Sequence, residues 1–150
     1  KKQNISMNKF TDELKKWQEK RFAEKNIKAE WEIKADRLFG DELLLEMLIR
    51  NIFENAFRAT DEGGKISTYV YENEKNTVFE ITDTGCGMEP EELEKIKEPF
   101  YRVDKSRSRK QGGTGLGVSL CQKIVEKHDG SMEYRSKKGV GTTVTVKIPL

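Results

Sequence analysis

The sequence predicts an α+β two-layer sandwich, with helices on one face of a mixed, mostly antiparallel sheet. Helix-period and alternating segments both occur, in the order strand, helix, strand, helix, two strands, helices, two strands. Glycine is gathered at 63–64, 85–87, 112–117 and 139–141, and these clusters punctuate the segments. A length of 150 residues fits a single domain, 1–150, able to bury a core without disulfide or metal staples.

Each element has its own signal. An N-terminal strand and a first helix are expected within 4–25. Over 9–25, Phe10, Leu14, Trp17 and Phe22 recur at near-helical spacing, with Asn8 in position to cap the helix. Ile27, Ala29, Trp31 and Ile33 alternate, as a half-buried strand does. The clearest helix is 41–60, where Leu45, Ile49, Ile52, Phe53 and Ala56 share one side and Glu46, Arg50 and Glu54 lie across from it. Asp61–Gly64 reads as a turn. Lys65–Tyr71 and Val78–Ile81 are β-rich and joined through a hairpin at Glu72–Asn76. A short helix over 90–97 and a longer one over 115–128 follow. Strands 131–136 and 142–149 then close the chain around Gly139–Gly141.

Composition excludes several function classes. Lys plus Arg number 28 and Asp plus Glu 26, a net charge of +2, which argues against a dedicated nucleic-acid binder. Charged residues make up 36% against 35% hydrophobic, a wet surface around a modest core. No apolar run approaches a membrane span, and no signal-peptide h-region is present. Cys86 and Cys121 make neither a disulfide framework nor a zinc site, so a reducing, cytoplasmic setting fits best. The chain opens on Lys rather than Met, as expected of a piece cut from a longer protein.

Four clusters carry chemistry. Asn51, Asn55 and Arg58 are spaced i, i+4, i+7 and fall on one edge of the apolar face of the 41–60 helix. Asn is a poor helix former, so two of them mid-helix carry a local cost. Carboxamide oxygens beside a cation suit a hard metal and phosphate, though a solvated helix edge would look the same. In Glu80–Met88 a strand runs into Asp83, Gly85 and Gly87. A strand-end carboxylate can accept from an amine such as the adenine 6-amino group, and glycines let backbone approach a flat ring. An ordinary Asp-Thr-Gly turn shares that pattern.

The third cluster, 100–117, holds five cations and one anion between 100 and 111, then passes through Gly112, Gly113, Gly115 and Gly117 into a helix. A glycine turn opening a helix presents free N–H groups to anions. The spacing is neither a Walker A loop nor a Rossmann fingerprint. A linker or nucleic-acid patch remains open, but a lid closing over polyphosphate accounts for both glycines and cations. The fourth cluster, Gly139-Val140-Gly141-Thr142-Thr143, opens the last strand and places a hydroxyl at Thr142.

Taken in order, these clusters resemble the boxes of the catalytic ATP-binding domain of sensor histidine kinases, in the GHKL superfamily shared with gyrase, the heat-shock chaperone and mismatch-repair ATPases. Asn51–Arg58 resembles the N box, Asp83–Gly87 the G1 box, Phe100–Asp104 the F box, Gly113–Gly117 the G2 box, and Gly139–Thr142 the closing glycine turn. The resemblance spans nearly all of 4–150 and implies a Bergerat-type sandwich binding ATP with Mg²⁺.

The resemblance also implies roles. Asn55 would coordinate Mg²⁺, Asn51 would support phosphate and metal, and Arg58, where the family often has Lys, would reach the phosphates. Asp83 would read the adenine amino group, with Gly85, Gly87 and Thr142 shaping the base pocket. Arg107 or Arg109 would reach the phosphates from the lid, Gly113, Gly115, Leu116 and Gly117 would surround them, and Phe100 and Tyr101 would anchor the lid. The hydrolytic branch of the superfamily carries a Glu one turn before the metal-binding Asn. Here that position is Asn51, so transfer to a protein acceptor is expected over hydrolysis, with Glu54 facing away. Ala59 replaces an aromatic and loosens one pocket wall. The phosphoacceptor His would belong to a separate dimerisation domain, His128 being a helix-end residue. The expected partners are ATP, that domain of the same full-length protein, and a response regulator, with no nucleic acid. The piece would be monomeric, and the full-length protein a homodimer, membrane-anchored in many members. A stand-alone serine kinase of the anti-sigma type is the alternative, and a nucleic-acid module using 102–110 a more distant one.

Overall fold

The computed structural model describes residues 1–96 and 116–150. Its elements are β1 (Gln3–Ser6), α1 (Met7–Phe22) followed by a 3₁₀ turn (Ala23–Lys25), β2 (Lys28–Lys34), β3 (Arg37–Gly40), α2 (Glu42–Ala59), β4 (Lys65–Glu72), β5 (Asn76–Asp83), α3 (Pro90–Lys95), α4 (Leu116–Lys127), β6 (Ser131–Lys137) and β7 (Gly141–Pro149). Five strands form one sheet in the order β2-β4-β5-β7-β6, parallel between β2 and β4 and antiparallel elsewhere. The mixed, mostly antiparallel sheet expected from the sequence is therefore present. A second, two-stranded sheet pairs β1 with β3, Gln3 lying opposite Gly40. Residues 37–40 carried no strand signal of their own.

The core lies between this sheet and the helices on one face. Phe10, Leu14 and Phe22 from α1, Leu45, Ile49, Ile52 and Phe53 from α2, and Cys121 and Ile124 from α4 meet Ile66, Val70, Phe79, Ile81, Val146 and Ile148. Phe53 is the hub of an aromatic cluster, with Trp17, Phe22 and Trp31 rings 5.7–6.3 Å away. Burying such rings is the main favourable term in a domain of this size.

Two expectations need correction. The first helix begins at Met7 and is capped by Ser6, whose Oγ accepts from the Lys9 N–H at 3.4 Å, rather than by Asn8. The reason is packing: Met7 is buried, which draws the helix start forward by two residues. The second is the omission of β3, reported above. On the charged side of α2, Arg50 pairs with Glu46 of the same helix and lies over the Trp17 ring of α1, and Glu54 is bound by Arg21 of α1.

Both ends of α2 are closed by side chains. Asp41 caps the start by accepting from the Leu44 N–H at 3.1 Å, and the Thr60 hydroxyl bonds the Ala56 carbonyl at the close. His128, buried at the end of α4, ties that helix to the start of α2. Its Nε2 accepts from the Asp41 N–H at 3.0 Å, so Nδ1 carries the proton and donates to the Ile124 carbonyl at 2.8 Å. With both ring nitrogens engaged, His128 is a structural residue. Among the described residues no helix is long and apolar enough to cross a membrane.

Candidate functional site

Asp83 ends β5, in register with Ile66 of β4 and Thr142 of β7. Its carboxyl is buried, and Oδ1 accepts from the backbone N–H of Gly85 at 2.8 Å and of Thr142 at 3.3 Å. Oδ2 has no hydrogen-bond partner among the described residues. Burial pushes the Asp83 carboxyl up to about 6, against the downward pull of those two N–H groups. One oxygen is thus fixed by main chain, and the other is left with acceptor capacity.

Beside it, Thr142 Oγ1 and Ser136 Oγ lie 2.7 Å apart. Ser136 already donates to the Gly141 carbonyl at 3.1 Å and accepts from the Met88 N–H at 2.8 Å. Its single proton being used, the Thr142 hydroxyl must donate to Ser136, which leaves the Thr142 lone pairs as acceptors. Ser136 was missed in the sequence. The only available signal was its register position opposite Thr142, which becomes visible once β6 and β7 are paired.

The glycines that follow Asp83 have an internal reason. A Cβ on Gly85 would overlap the Ala59 carbonyl at the end of α2, where the Cys86 N–H also donates at 3.2 Å. Gly87 has a φ of +68°, and a Cβ there would overlap the Lys137 carbonyl, beside the Gly139 N–H bond to the Cys86 carbonyl. The sequence reading gave both glycines to close approach by a flat ring. Protein backbone stands where a Cβ would go at both positions, which by itself is reason enough for glycine there.

The other end of the site is the exposed edge of α2. Asn51 donates through Nδ2 to the Met47 carbonyl at 2.9 Å, while Asn55 is exposed and has no side-chain partner among the described residues. Ala59 lies one turn beyond Asn55, about 6 Å along the axis, and touches Gly85 and Cys86. The N-box edge and the Asp83 loop therefore meet at the C-terminus of α2. Ala59 accordingly serves this junction through its main chain. α4 runs antiparallel to α2, with Cys121 Sγ 3.9 Å from the Leu48 carbonyl and His128 on Asp41, which carries Leu116 and Gly117 toward Asn55.

Arg58 stands on the α1 side of this edge. Its Nη2 lies 3.3 Å from Glu54 Oε2. Arg21 grips the same carboxylate with two bonds, Nε to Oε1 at 3.0 Å and Nη2 to Oε2 at 2.7 Å. Lys25 bonds the Phe57 and Thr60 carbonyls at 2.8 and 3.1 Å. Burial works to raise the Glu54 carboxyl, but Arg21, with Arg58 and Lys25 behind it, outweighs this and holds it below the usual carboxylate range. Three cations, Arg21, Arg58 and Lys25, thus act on the Glu54 carboxylate.

Among the described residues no group of three or more His, Cys, Asp or Glu could hold a metal alone. The Asn55 amide oxygen is a single hard donor, which suits a cation that keeps its waters and binds mainly through substrate phosphates, as Mg²⁺ does. Arg107, Arg109, Gly113 and Gly115, with Phe100 and Tyr101, lie outside the described residues.

Comparison with known proteins matches this geometry to a family. Residues 40–150 match the family model described as histidine kinase-, DNA gyrase B-, and HSP90-like ATPase. Sensor protein SrrB of Staphylococcus aureus strain NCTC 8325 / PS 47 is 38% identical over 119 residues, 79% of this chain. The match covers 19% of that relative's length, so the chain corresponds to about a fifth of it. The catalytic domain of histidine kinase ThkA superimposes with a TM-score of 0.85 at 25% identity, covering 99% of this chain and 97% of that one. A mycobacterial sensor histidine kinase, MprB, shares the fold with a TM-score of 0.81 at 24% identity, over 98% and 96% of the two chains. The chain belongs to the histidine kinase-, DNA gyrase B- and HSP90-like ATPases, as a GHKL ATP-binding domain of the sensor histidine kinase type.

Proposed function

We propose that this domain binds Mg-ATP and supplies the γ-phosphate for transfer to a His on a separate dimerisation domain of the same full-length sensor kinase. The observation that carries this reading is the Asp83 carboxylate, one oxygen fixed by two backbone N–H groups and the other unpartnered, one helix end away from Asn55. Asp83 Oδ2 accepts from the adenine 6-amino group, and the Thr142 hydroxyl, oriented by Ser136, offers an acceptor beside it. Gly85 and Gly87 hold the loop that carries these contacts. Asn55 holds Mg²⁺ through its amide oxygen, with Asn51 supporting the phosphates from one turn earlier. When bound, Mg²⁺ offsets phosphate charge. Arg58, with Arg107 or Arg109 and the backbone of Gly113, Gly115, Leu116 and Gly117, neutralises the rest.

Phosphoryl transfer asks a protein mainly for positioning and charge stabilisation. Hydrolysis also asks for a group that orients or deprotonates water. Asn51 has no basic oxygen at neutral pH, and Glu54 is clamped by Arg21 with its carboxyl held low. Slow hydrolysis and transfer to protein follow. A structure of ThkA in complex with the response regulator protein TrrA, at a TM-score of 0.80 and 24% identity, supports a response regulator as the downstream partner. It covers 99% of this chain and 41% of that one.

The test is incubation with γ-labelled ATP and the separate dimerisation domain. Acid-labile phosphate on His is expected. Acid-stable phosphoserine on a partner protein would overturn the reading in favour of a stand-alone serine kinase.

A further inference from the structure

Strand β6 carries Tyr134 and Ser136 on one face of the sheet, because alternate residues of a strand point the same way. Ser136 is the residue whose hydroxyl lies 2.7 Å from that of Thr142, beside Asp83. Tyr134 is a part-buried ring packed against both apolar clusters of the molecule. One is the main core, and the other is a small group of Met88, Ile96 and Val118. Met88 belongs to the loop that follows Asp83, and Val118 to the first turn of α4. The ring therefore lies at the junction of the segment proposed for the base and the turn proposed for the phosphates.

Its hydroxyl is the anomaly. It has no hydrogen-bond partner among the described residues, and burial pushes the phenol well above its ordinary range. It stays protonated through the neutral range, a desolvated donor with nothing to donate to. Phenols in such surroundings ordinarily find a partner, and an unmet one costs stability. The other side chains placed at this end offer the reverse chemistry. Asp83 presents Oδ2, an acceptor. Thr142 presents lone pairs, since its proton goes to Ser136, and Ser136 spends its own proton on the Gly141 carbonyl. Such a set can hold the amino group of adenine but none of its ring nitrogens, which are themselves acceptors.

We propose that Tyr134 is a specificity-determining residue, donating its hydroxyl proton to a ring nitrogen of the bound base. The inference rests on the reading of Asp83 and Thr142 as base contacts, and extends recognition from the amino group to the ring. A donor and an acceptor together fix the orientation of a flat base, which acceptors alone do not.

Calorimetry on the 150-residue chain tests this with adenosine, its 1-, 3- and 7-deaza analogues, and purine riboside. Tyr134→Phe keeps the ring and removes only the hydroxyl. Adenosine affinity is expected to fall about three- to tenfold, the scale of one hydrogen bond. The thermal midpoint of the unliganded domain should hold or rise, because the lost group was desolvated and unpartnered. In the parent, one deaza analogue should bind more weakly than adenosine by a similar factor, a C–H having replaced the acceptor. In Tyr134→Phe that analogue and adenosine should bind alike. The inference is overturned if Tyr134→Phe leaves adenosine affinity unchanged, if the midpoint falls and all ligands weaken alike, or if every deaza penalty of the parent survives in the variant. Purine riboside lacks the 6-amino group and reports on the underlying reading. If the parent binds it as tightly as adenosine, the Asp83 reading falls. If the parent prefers adenosine and Tyr134→Phe is silent, only the role of Tyr134 falls.

Discussion

At the Asp83 end of the site, contacts are made by main-chain N–H groups and by hydroxyls in fixed register across β5, β7 and β6. At the Asn55 end they are made by long side chains, with Arg21 and Arg58 sharing one carboxylate. The Asp83 end, the proposed base end, is shaped by backbone that leaves no room for a Cβ. The Asn55 end, the proposed phosphate end, is shaped by charge. Substitutions at the first should therefore act through shape and stability, and substitutions at the second through charge and affinity.

The largest effect should come from breaking the shape at the base end. Gly87→Ala places a Cβ at a φ of +68° and into the Lys137 carbonyl. A cost of about 2–4 kcal/mol is expected from strain and overlap together. Chemical denaturation should show a lowered midpoint, with nucleotide binding lost only as far as the fold is lost. A Gly87→Ala domain as stable as the parent would mean that the loop relaxes freely, and the contrast between the two ends would collapse.

Asn55→Ala should do the opposite. Removing an exposed amide from a helix costs nothing in packing and gains a little in helix propensity. The thermal midpoint should hold or rise slightly, while the Mg²⁺-dependent part of ATP affinity falls at least tenfold. Calorimetry with and without EDTA separates that part. If the variant phosphorylates the acceptor at the parent rate, Asn55 is not the metal-binding residue.

Asp83 links shape to charge. Its folded value of about 6 lies above the ordinary 3.8, so the fold favours the protonated form. The associated stability is fully present below about 4 and is lost as pH rises through about 6. Asp83→Asn should therefore stabilise the domain at pH 7 and give no gain at pH 4. Binding runs the other way. With Oδ1 committed to two N–H groups, a proton goes to Oδ2 and removes the acceptor proposed for the adenine amino group. ATP affinity should fall by up to about tenfold between pH 7 and 5. Asp83→Asn should lack this component and should discriminate ATP from GTP poorly. A parent and variant with the same pH profile would remove Asp83 from base recognition.

How much of this was legible depended on range. Helix α2 was plain because its apolar positions repeat within one segment, and Asp83 because a strand runs straight into it. β3 was not, since four residues with only Leu38 and Gly40 buried become a strand only by pairing with β1, more than 30 residues away. The grip of Arg21 on Glu54 was invisible for the same reason: the partners are 33 residues apart and belong to different helices. The glycines at 85 and 87 were found, but the protein backbone that stands where a Cβ would go was not visible. A sequence shows that a Cβ is excluded without showing what excludes it.

Ser136 gives the smallest effect and the finest separation of shape from affinity. Ser136→Ala leaves the Met88 N–H without its acceptor and frees the Thr142 hydroxyl to rotate. Loss of one part-buried hydrogen-bond acceptor should cost about 1 kcal/mol of stability. ATP affinity should fall about two- to fivefold, because the Thr142 lone pairs are no longer aimed at the base. The two consequences can be divided. In a Thr142→Val background Ser136→Ala should still destabilise, through Met88, but should no longer change ATP affinity. If affinity still falls there, Ser136 acts on the pocket through the Met88 segment rather than through Thr142, and the 84–88 loop would be the element that sets the position of the base.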